Sequence, residues 1–192
     1  MNNLNFLSLK FVASFEKYDQ IFEHKSKEIA FVGASNSGKS SAINAISNQN
    51  KLAKVSKKPG KTKLFNFFNA QNGYIVDFPG YGYAKTSKQQ IKIWGVELPK
   101  YFERRGNLCF VYVFTDVRHP LKNMDYQMLE LLRKNRINYK IILTKSDKLN
   151  QKNLSNIIAD LQKEFPNLDY FSIKDKQQVL RIANEINELL SN

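Results

Sequence analysis

Eight consecutive residues, Gly33-Ala34-Ser35-Asn36-Ser37-Gly38-Lys39-Ser40, follow the pattern G-x-x-x-x-G-K-[ST]. Each type has a chemical reason to be there. Glycine at both ends lets the main chain curl around a phosphate without Cβ clashes, so that successive N–H groups and a helix N-terminus aim at the anion. Lys39 supplies a point charge for the β- and γ-phosphates, and the Ser40 hydroxyl is a hard oxygen suited to Mg²⁺, with Ser41 continuing into the helix that follows. The alternative for this stretch is a plain Gly-rich turn.

Two further groups stand in the order this chemistry requires. Asp77-Phe78-Pro79-Gly80 places a carboxylate at the end of an apolar run, where it can hold Mg²⁺, and a glycine whose N–H can reach a γ-phosphate; the same spacing also describes an ordinary turn. Thr144-Lys145-Ser146-Asp147 follows another apolar run. The Asp147 carboxylate can accept from both the ring N–H and the exocyclic amino group of guanine, a donor pair that adenine lacks, while the Lys145 stem can lie along the base. The competing reading of Asp147 is a helix cap.

These residues need a scaffold that brings loops together, and the patterning supplies one. Short runs rich in branched and aromatic residues alternate with stretches of helical period, predicting an α/β fold of three layers, a mostly parallel sheet with helices on both faces. Six strands are predicted, at 29–32, 63–68, 74–77, 108–114, 139–144 and 168–171. Asn72-Gly73 makes the second and third a hairpin, so one strand runs antiparallel. Helical stripes are carried by Ala42, Ile43 and Ile46, by Met124, Met128, Leu131 and Leu132, by Leu154, Ile157, Ile158, Leu161 and Phe165, and by Val179, Ile182, Ala183, Ile186 and Leu190. Residues 1–27 read as a lead-in with a candidate edge strand, and 28–192 as the domain proper. Gln49–Lys61, Lys-rich and broken by Pro59-Gly60, reads as a mobile loop, and Phe78–Lys88 as weakly structured.

Composition narrows the classes. At 192 residues, 42% hydrophobic and 24% charged, the chain suits one folded domain and excludes collagen-like and largely disordered classes. Cys109 is the only cysteine and His24 and His119 read as surface or loop residues, so neither a disulfide framework nor a Cys/His metal site is expected. No apolar run approaches the roughly 20 residues that span a bilayer. The expectation is a monomeric cytoplasmic protein with no membrane or DNA partner.

Thirty Lys+Arg against 17 Asp+Glu leave a net +13, which favours an anionic partner. Residues 1–105 hold 17 basic and 7 acidic residues, against 13 and 10 in the remainder. Lys51, Lys54, Lys57, Lys58, Lys61 and Lys63 share one loop, while Lys85, Lys88 and Lys92 lie near Tyr81, Tyr83 and Trp94, rings able to stack on bases. This placement predicts an RNA-rich partner; the alternative is a Lys-rich solvated surface.

The segments EIAFVGASNSGKSSAINAI, KKPGKTKLFNFF, DFPGYGYA and TKSDKL stand in the order and spacing of the EngB (YsxC/YihA) family of bacterial GTPases, which the chain resembles over nearly its whole length. The resemblance implies the P-loop GTPase fold, binding of GTP and GDP with Mg²⁺, and a part in large ribosomal subunit assembly and in normal cell division and septation. It makes Thr62 a switch residue that joins Ser40 and Asp77 at Mg²⁺, sets Gly60, Lys61, Lys63 and Leu64 beside the nucleotide, and puts Ser172, within Phe171-Ser172-Ile173, at the last guanine contact. Ile173 departs from the pattern, standing where a small residue is usual. Tyr81 follows Gly80 where many GTPases carry a water-orienting glutamine, so slow intrinsic hydrolysis is expected. Asn36 stands where related GTPases hold K⁺; it either serves that role or braces the loop. A small-molecule kinase would share the phosphate loop but needs an Arg-bearing lid, and an RNA-binding module could hold nucleotide with little turnover.

Overall fold

The structure, a computed structural model, describes residues 5–53, 65–82 and 93–191. Its strands are β1 (Lys10–Phe15), β2 (Lys27–Gly33), β3 (Phe65–Asn69), β4 (Gly73–Asp77), β5 (Leu108–Asp116), β6 (Tyr139–Thr144) and β7 (Leu168–Phe171). The helices are α1 (Lys39–Ile46), α2 (Leu98–Arg104), α3 (Asn123–Lys134), α4 (Gln151–Gln162) and α5 (Lys176–Ser191). The strands form one sheet in the order β1-β3-β4-β2-β5-β6-β7. Neighbours among β4, β2, β5, β6 and β7 pair in parallel, whereas β3 is antiparallel to both β1 and β4.

Strand alternation decides which side chains feed which face. Ala30 and Val32 of β2, with Val111 and Val113 of β5, join a core closed by Tyr101 of α2, Met128 and Leu132 of α3 and Leu154 of α4. Ile29 and Phe31, with Phe110, Tyr112 and Phe114, point the other way, against Ile43 and Ile46 of α1 and Val179, Ile182 and Ile186 of α5. The sheet is thus buried on both faces, as a parallel sheet requires.

The sheet has seven strands, the six expected from sequence and β1, an edge strand within residues 1–27. β1 carries a register shift between Phe11 and Ala13, and both Phe11 and Val12 are exposed, so the period of two that marks a strand is broken there. Its pairing is secured by aromatic contacts, Phe15 on Phe67 at 5.7 Å and Phe11 on Phe68 at 5.8 Å. Helix α2 also escaped the periodicity reading: it has only seven residues, yet buries Leu98, Tyr101 and Phe102. A π-helical turn, Ile93–Glu97, leads into it.

At the sheet edge away from the phosphate loop, Glu28 opens β2 fully buried. Arg105 holds it through Nε at 2.8 Å and Nη2 at 2.7 Å, the Tyr101 hydroxyl donates to its second oxygen, and His24 Nε2 lies 2.7 Å away. His24 lies in a loop, one of the two placements expected, but is only 10% exposed and belongs to a buried polar cluster; its ring sits 4.4 Å from that of Tyr74. The cluster stitches the segment before β2 to α2. Converting the carboxylate to an amide (Glu28→Gln) leaves the buried guanidinium without a counter-charge. It should cost about 3–5 kcal/mol in urea unfolding; an unchanged midpoint would show that the cluster is not needed for the fold.

Candidate nucleotide-binding site

Parallel strands deliver their C-terminal ends to one edge, and Gly33, Asp77, Asp116, Thr144 and Phe171 all end strands there. Gly33 must lack a side chain: a Cβ would overlap the Phe114 carbonyl and come within 2.7 Å of Ser37 Oγ. The chain then turns, with the Ser37 N–H donating to Ala34 O at 3.0 Å and Asn36 exposed in the left-handed region at φ 66°. Gly38, at φ 96°, is the N-cap of α1 and brings no capping side chain, so the first-turn N–H groups stay available to an anion.

Lys39 is buried under the loop and its ammonium pairs with Asp77 Oδ1. Ser40 Oγ is 3.5 Å from Asp77 Oδ2. A carboxylate and a hydroxyl side by side are a hard-oxygen pair that suits Mg²⁺. Among the described residues no group of three or more His, Cys, Asp or Glu forms a cage, so such an ion would take its remaining ligands from phosphate and water, as Mg²⁺ commonly does. Ser41 follows in the first turn of α1.

The Thr144-Lys145-Ser146-Asp147 run is tied to this loop directly. The Thr144 hydroxyl contacts Ser37 O and lies 3.1 Å from Thr115 O. Lys145, itself at φ 59°, donates from Nζ to Asn36 O at 2.7 Å and to Asp116 Oδ2 at 2.7 Å. Arg118 donates to the same carboxylate from Nε at 2.9 Å and Nη2 at 2.7 Å. Burial would raise the Asp116 pKa, but Arg118 and Lys145 outweigh it and hold the carboxyl well below its ordinary value. Asp147 presents a partly exposed carboxylate whose Oδ1 accepts from Ser172 Oγ at 2.8 Å and whose Oδ2 is 3.1 Å from Lys174 Nζ. Burial again acts upward there, and Ser172 and Lys174 bring the pKa below the usual value.

Gln178 joins the Ser146-Asp147 and Ser172 segments: its Oε1 accepts from the Ser172 N–H at 2.8 Å and lies 3.4 Å from the buried Ser146 Oγ. Neither Gln178 nor Asp116 and Arg118 was singled out from sequence. The Asp-x-Arg spacing at the end of an apolar run was a usable sign for the latter pair, whereas nothing near Gln178 in sequence marks it.

Not every expected residue turns its side chain to this edge. Phe78 is in the core, 4.7 Å from Tyr101 and stacked on Phe102 at 5.5 Å, and its N–H donates to Phe31 O at 3.0 Å. Phe171 and Pro79 are likewise buried, while Ile173 is exposed. Gly80 lies against Ser35, where a Cβ would come within 2.9 Å of Ser35 Oγ. Tyr81, expected among rings free to stack on bases, is instead buried against Trp94. Gly60, Lys61, Thr62, Lys63 and Leu64 lie outside the described residues, as do Lys54, Lys57, Lys58, Tyr83, Lys85, Lys88 and Lys92.

Residues 28–145 match the family of 50S ribosome-binding GTPases. The probable GTP-binding protein EngB of Shigella flexneri is 37% identical over 198 residues, covering 100% of this chain and 94% of the relative. A crystal structure of a probable GTP-binding protein EngB superposes with a TM-score of 0.69 at 23% identity, over 85% of this chain and 98% of that one. Era in complex with MgGDPNP and nucleotides 1506–1542 of 16S ribosomal RNA superposes with a TM-score of 0.63 at 19% identity, over 88% and 57%. At these identities the two structures are alike in fold.

The Asp116 tether carries a pH signature. A carboxyl held below its ordinary value of 3.8 contributes stability that is complete above that value and is lost as pH falls through the lower folded value. The difference in melting temperature between the wild type and Asp116→Asn should therefore stay constant above about pH 5 and close below about pH 4. A gap independent of pH would show that the ion pairs are not formed.

Proposed function

The chain belongs to the EngB family of GTP-binding proteins, and from that premise we propose that it is a guanine-nucleotide switch that hydrolyses GTP slowly and times its own docking on the large ribosomal subunit during assembly. The observation that carries this reading is the Lys145 ammonium, 2.7 Å from Asn36 O and 2.7 Å from Asp116 Oδ2, which makes a base reader and a phosphate loop one rigid unit.

In this reading Gly33 to Ser41 hold the phosphates through main-chain N–H groups and Lys39. Ser40 and Asp77 hold Mg²⁺, joined by Thr62 when GTP is bound. The ion neutralises phosphate charge. Asp147 accepts from guanine, and Ser172 keeps that carboxylate ionised and aimed. Tyr81 favours slow turnover, since its hydroxyl is engaged at Asp125 and no carboxamide stands after Gly80 to orient water. Asn36, exposed on the loop, is the residue for a K⁺ that would supply charge; equal hydrolysis in K⁺ and Na⁺ buffers would remove that role.

RNA as the partner is supported by the net charge of +13, by the ribosome-binding family match and by the RNA held by the structurally similar Era. The part in cell division and septation rests on the family resemblance, and ribosome assembly would place the protein in the cytoplasm. No helix among the described residues is long and apolar enough to cross a membrane. A second reading, an RNA-binding module that keeps nucleotide with little turnover, is favoured by the same engaged Tyr81.

Calorimetric titration with Mg²⁺ should show GDP and GTP binding and no measurable ATP binding. Asp147→Asn, which exchanges an acceptor for a donor, should weaken GDP by about 10²-fold or more and admit xanthosine diphosphate instead; unaltered base preference would refute the assignment. Co-sedimentation with large subunits should differ between GDP and a GTP analogue and fall steeply with salt. Phosphate release stimulated by the subunits would separate the switch from the module.

A further inference from the structure

Tyr81 follows directly after Asp77-Phe78-Pro79-Gly80, and its main chain and side chain are engaged in different places. Its main chain forms an isolated parallel bridge with Ala34: the Ser35 N–H donates to Tyr81 O at 2.8 Å, and the Tyr81 N–H reaches Gly33 O at 3.4 Å. Gly80 lies in contact with Ser35, so that a Cβ there would sit 3.2 Å from the Ser35 nitrogen. Gly80-Tyr81 is thus a short strap laid along the first half of the phosphate loop. One loop N–H, that of Ser35, is given to the protein's own chain and withheld from an anion.

The side chain fastens the strap elsewhere. The Tyr81 ring, 2% exposed, meets Trp94 edge to face at 4.4 Å, and its hydroxyl donates to Asp125 Oδ1 at 2.6 Å. Asp125 is buried as well. Its other oxygen accepts from the Lys122 N–H at 2.9 Å, and the Thr115 hydroxyl lies 3.4 Å away. The carboxylate is therefore fixed by the first turn of α3 and the end of β5. Burial and the Asp125 charge both push the Tyr81 phenol well up, which keeps it a donor.

The position of the strap bears on which nucleotide fits. In that guanine-nucleotide reading, the first-turn N–H groups of α1 serve the phosphates that GDP and GTP share. In the same reading the third phosphoryl group extends toward Asp77 and the Gly80 N–H, and there the strap lies on Ser35. A ligand shifts a conformational equilibrium only by its differential affinity for the two states, so the fastening of the strap sets a cost for triphosphate that diphosphate does not meet. Building on the guanine-nucleotide reading above, we propose that the Tyr81–Asp125 hydrogen bond is the positioning device that sets the preference for GDP over GTP, by holding Gly80-Tyr81 down on the phosphate loop until a third phosphate displaces it.

The test uses the full chain with Mg²⁺ and compares GDP with a non-hydrolysable GTP analogue. Tyr81→Phe keeps the ring and removes only the hydroxyl. It should leave the GDP Kd within about twofold and tighten the analogue by about three- to tenfold, part of what a hydrogen bond to a charged partner is worth. Trp94, the only tryptophan, rests on the Tyr81 ring, so its emission should change when the wild type takes the analogue and not when it takes GDP. Asp125→Asn, which keeps a weaker acceptor, should give an intermediate ratio, and serves should Tyr81→Phe fail to fold. An unchanged ratio, equal shifts for both nucleotides, a shift toward GDP, or identical Trp94 responses would each overturn the proposal. Wild-type protein that binds neither nucleotide would overturn the guanine-nucleotide reading itself, and this proposal with it.

Discussion

A lysine ammonium cannot be kept out of water without an anion beside it. Lys39 is 6% exposed, and in this structure Asp77 supplies the charge. The pair ties the first residue of α1 to the end of β4, and makes the centre of the glycine-rich loop a place where negative charge is already required. A polyphosphate with its divalent ion satisfies the same requirement from outside: phosphate for the lysine, metal for the carboxylate. The loop thus carries an electrostatic demand that the protein meets by itself in this structure.

The parallel sheet makes the arrangement economical. Because β2, β4, β5, β6 and β7 all end at one edge, residues more than a hundred positions apart can share a hydrogen-bonded frame. Thr144 contacts the loop at Ser37, Lys145 at Asn36, and Asp116 grips Lys145 from the neighbouring strand. The glycine-rich loop and the Thr144 to Asp147 run are therefore not independent; weakening one contact loosens the other. At the opposite edge, Glu28 shows the same physics in a purely structural role, where a buried carboxylate is tolerated because Arg105, Tyr101 and His24 surround it.

The recognition elements were legible because their chemistry is local. Gly33 to Ser40, Asp77 to Gly80 and Thr144 to Asp147 are contiguous runs, and each stands at the end of a strand whose apolar pattern is plain. What escaped has equally physical causes. A bulge at Val12 breaks the alternation of β1, so the sequence suggests an edge strand there without its bounds, and α2 is too short to show a period. Phe78 belongs by sequence to a site motif, yet the strand alternation that delivers Asp77 outward turns the next ring into the core. The burial of His24 was not legible because its partners, Glu28 and Arg105, are assembled by the sheet.

The chain's order of residues by itself determined the family, the glycine-rich loop with its lysine and hydroxyl, the Thr144 to Asp147 run at a strand end and the strong positive charge, since each depends on residue types at fixed spacing. Only the tertiary structure decided that Tyr81 is an anchored core side chain and not a free ring, and that Asp116 and Gln178 brace that run. It also decided that the strap at Gly80 lies on Ser35. These are contacts between segments distant in sequence, and their energies depend on burial and distance, which exist only once the sheet has brought its strand ends together.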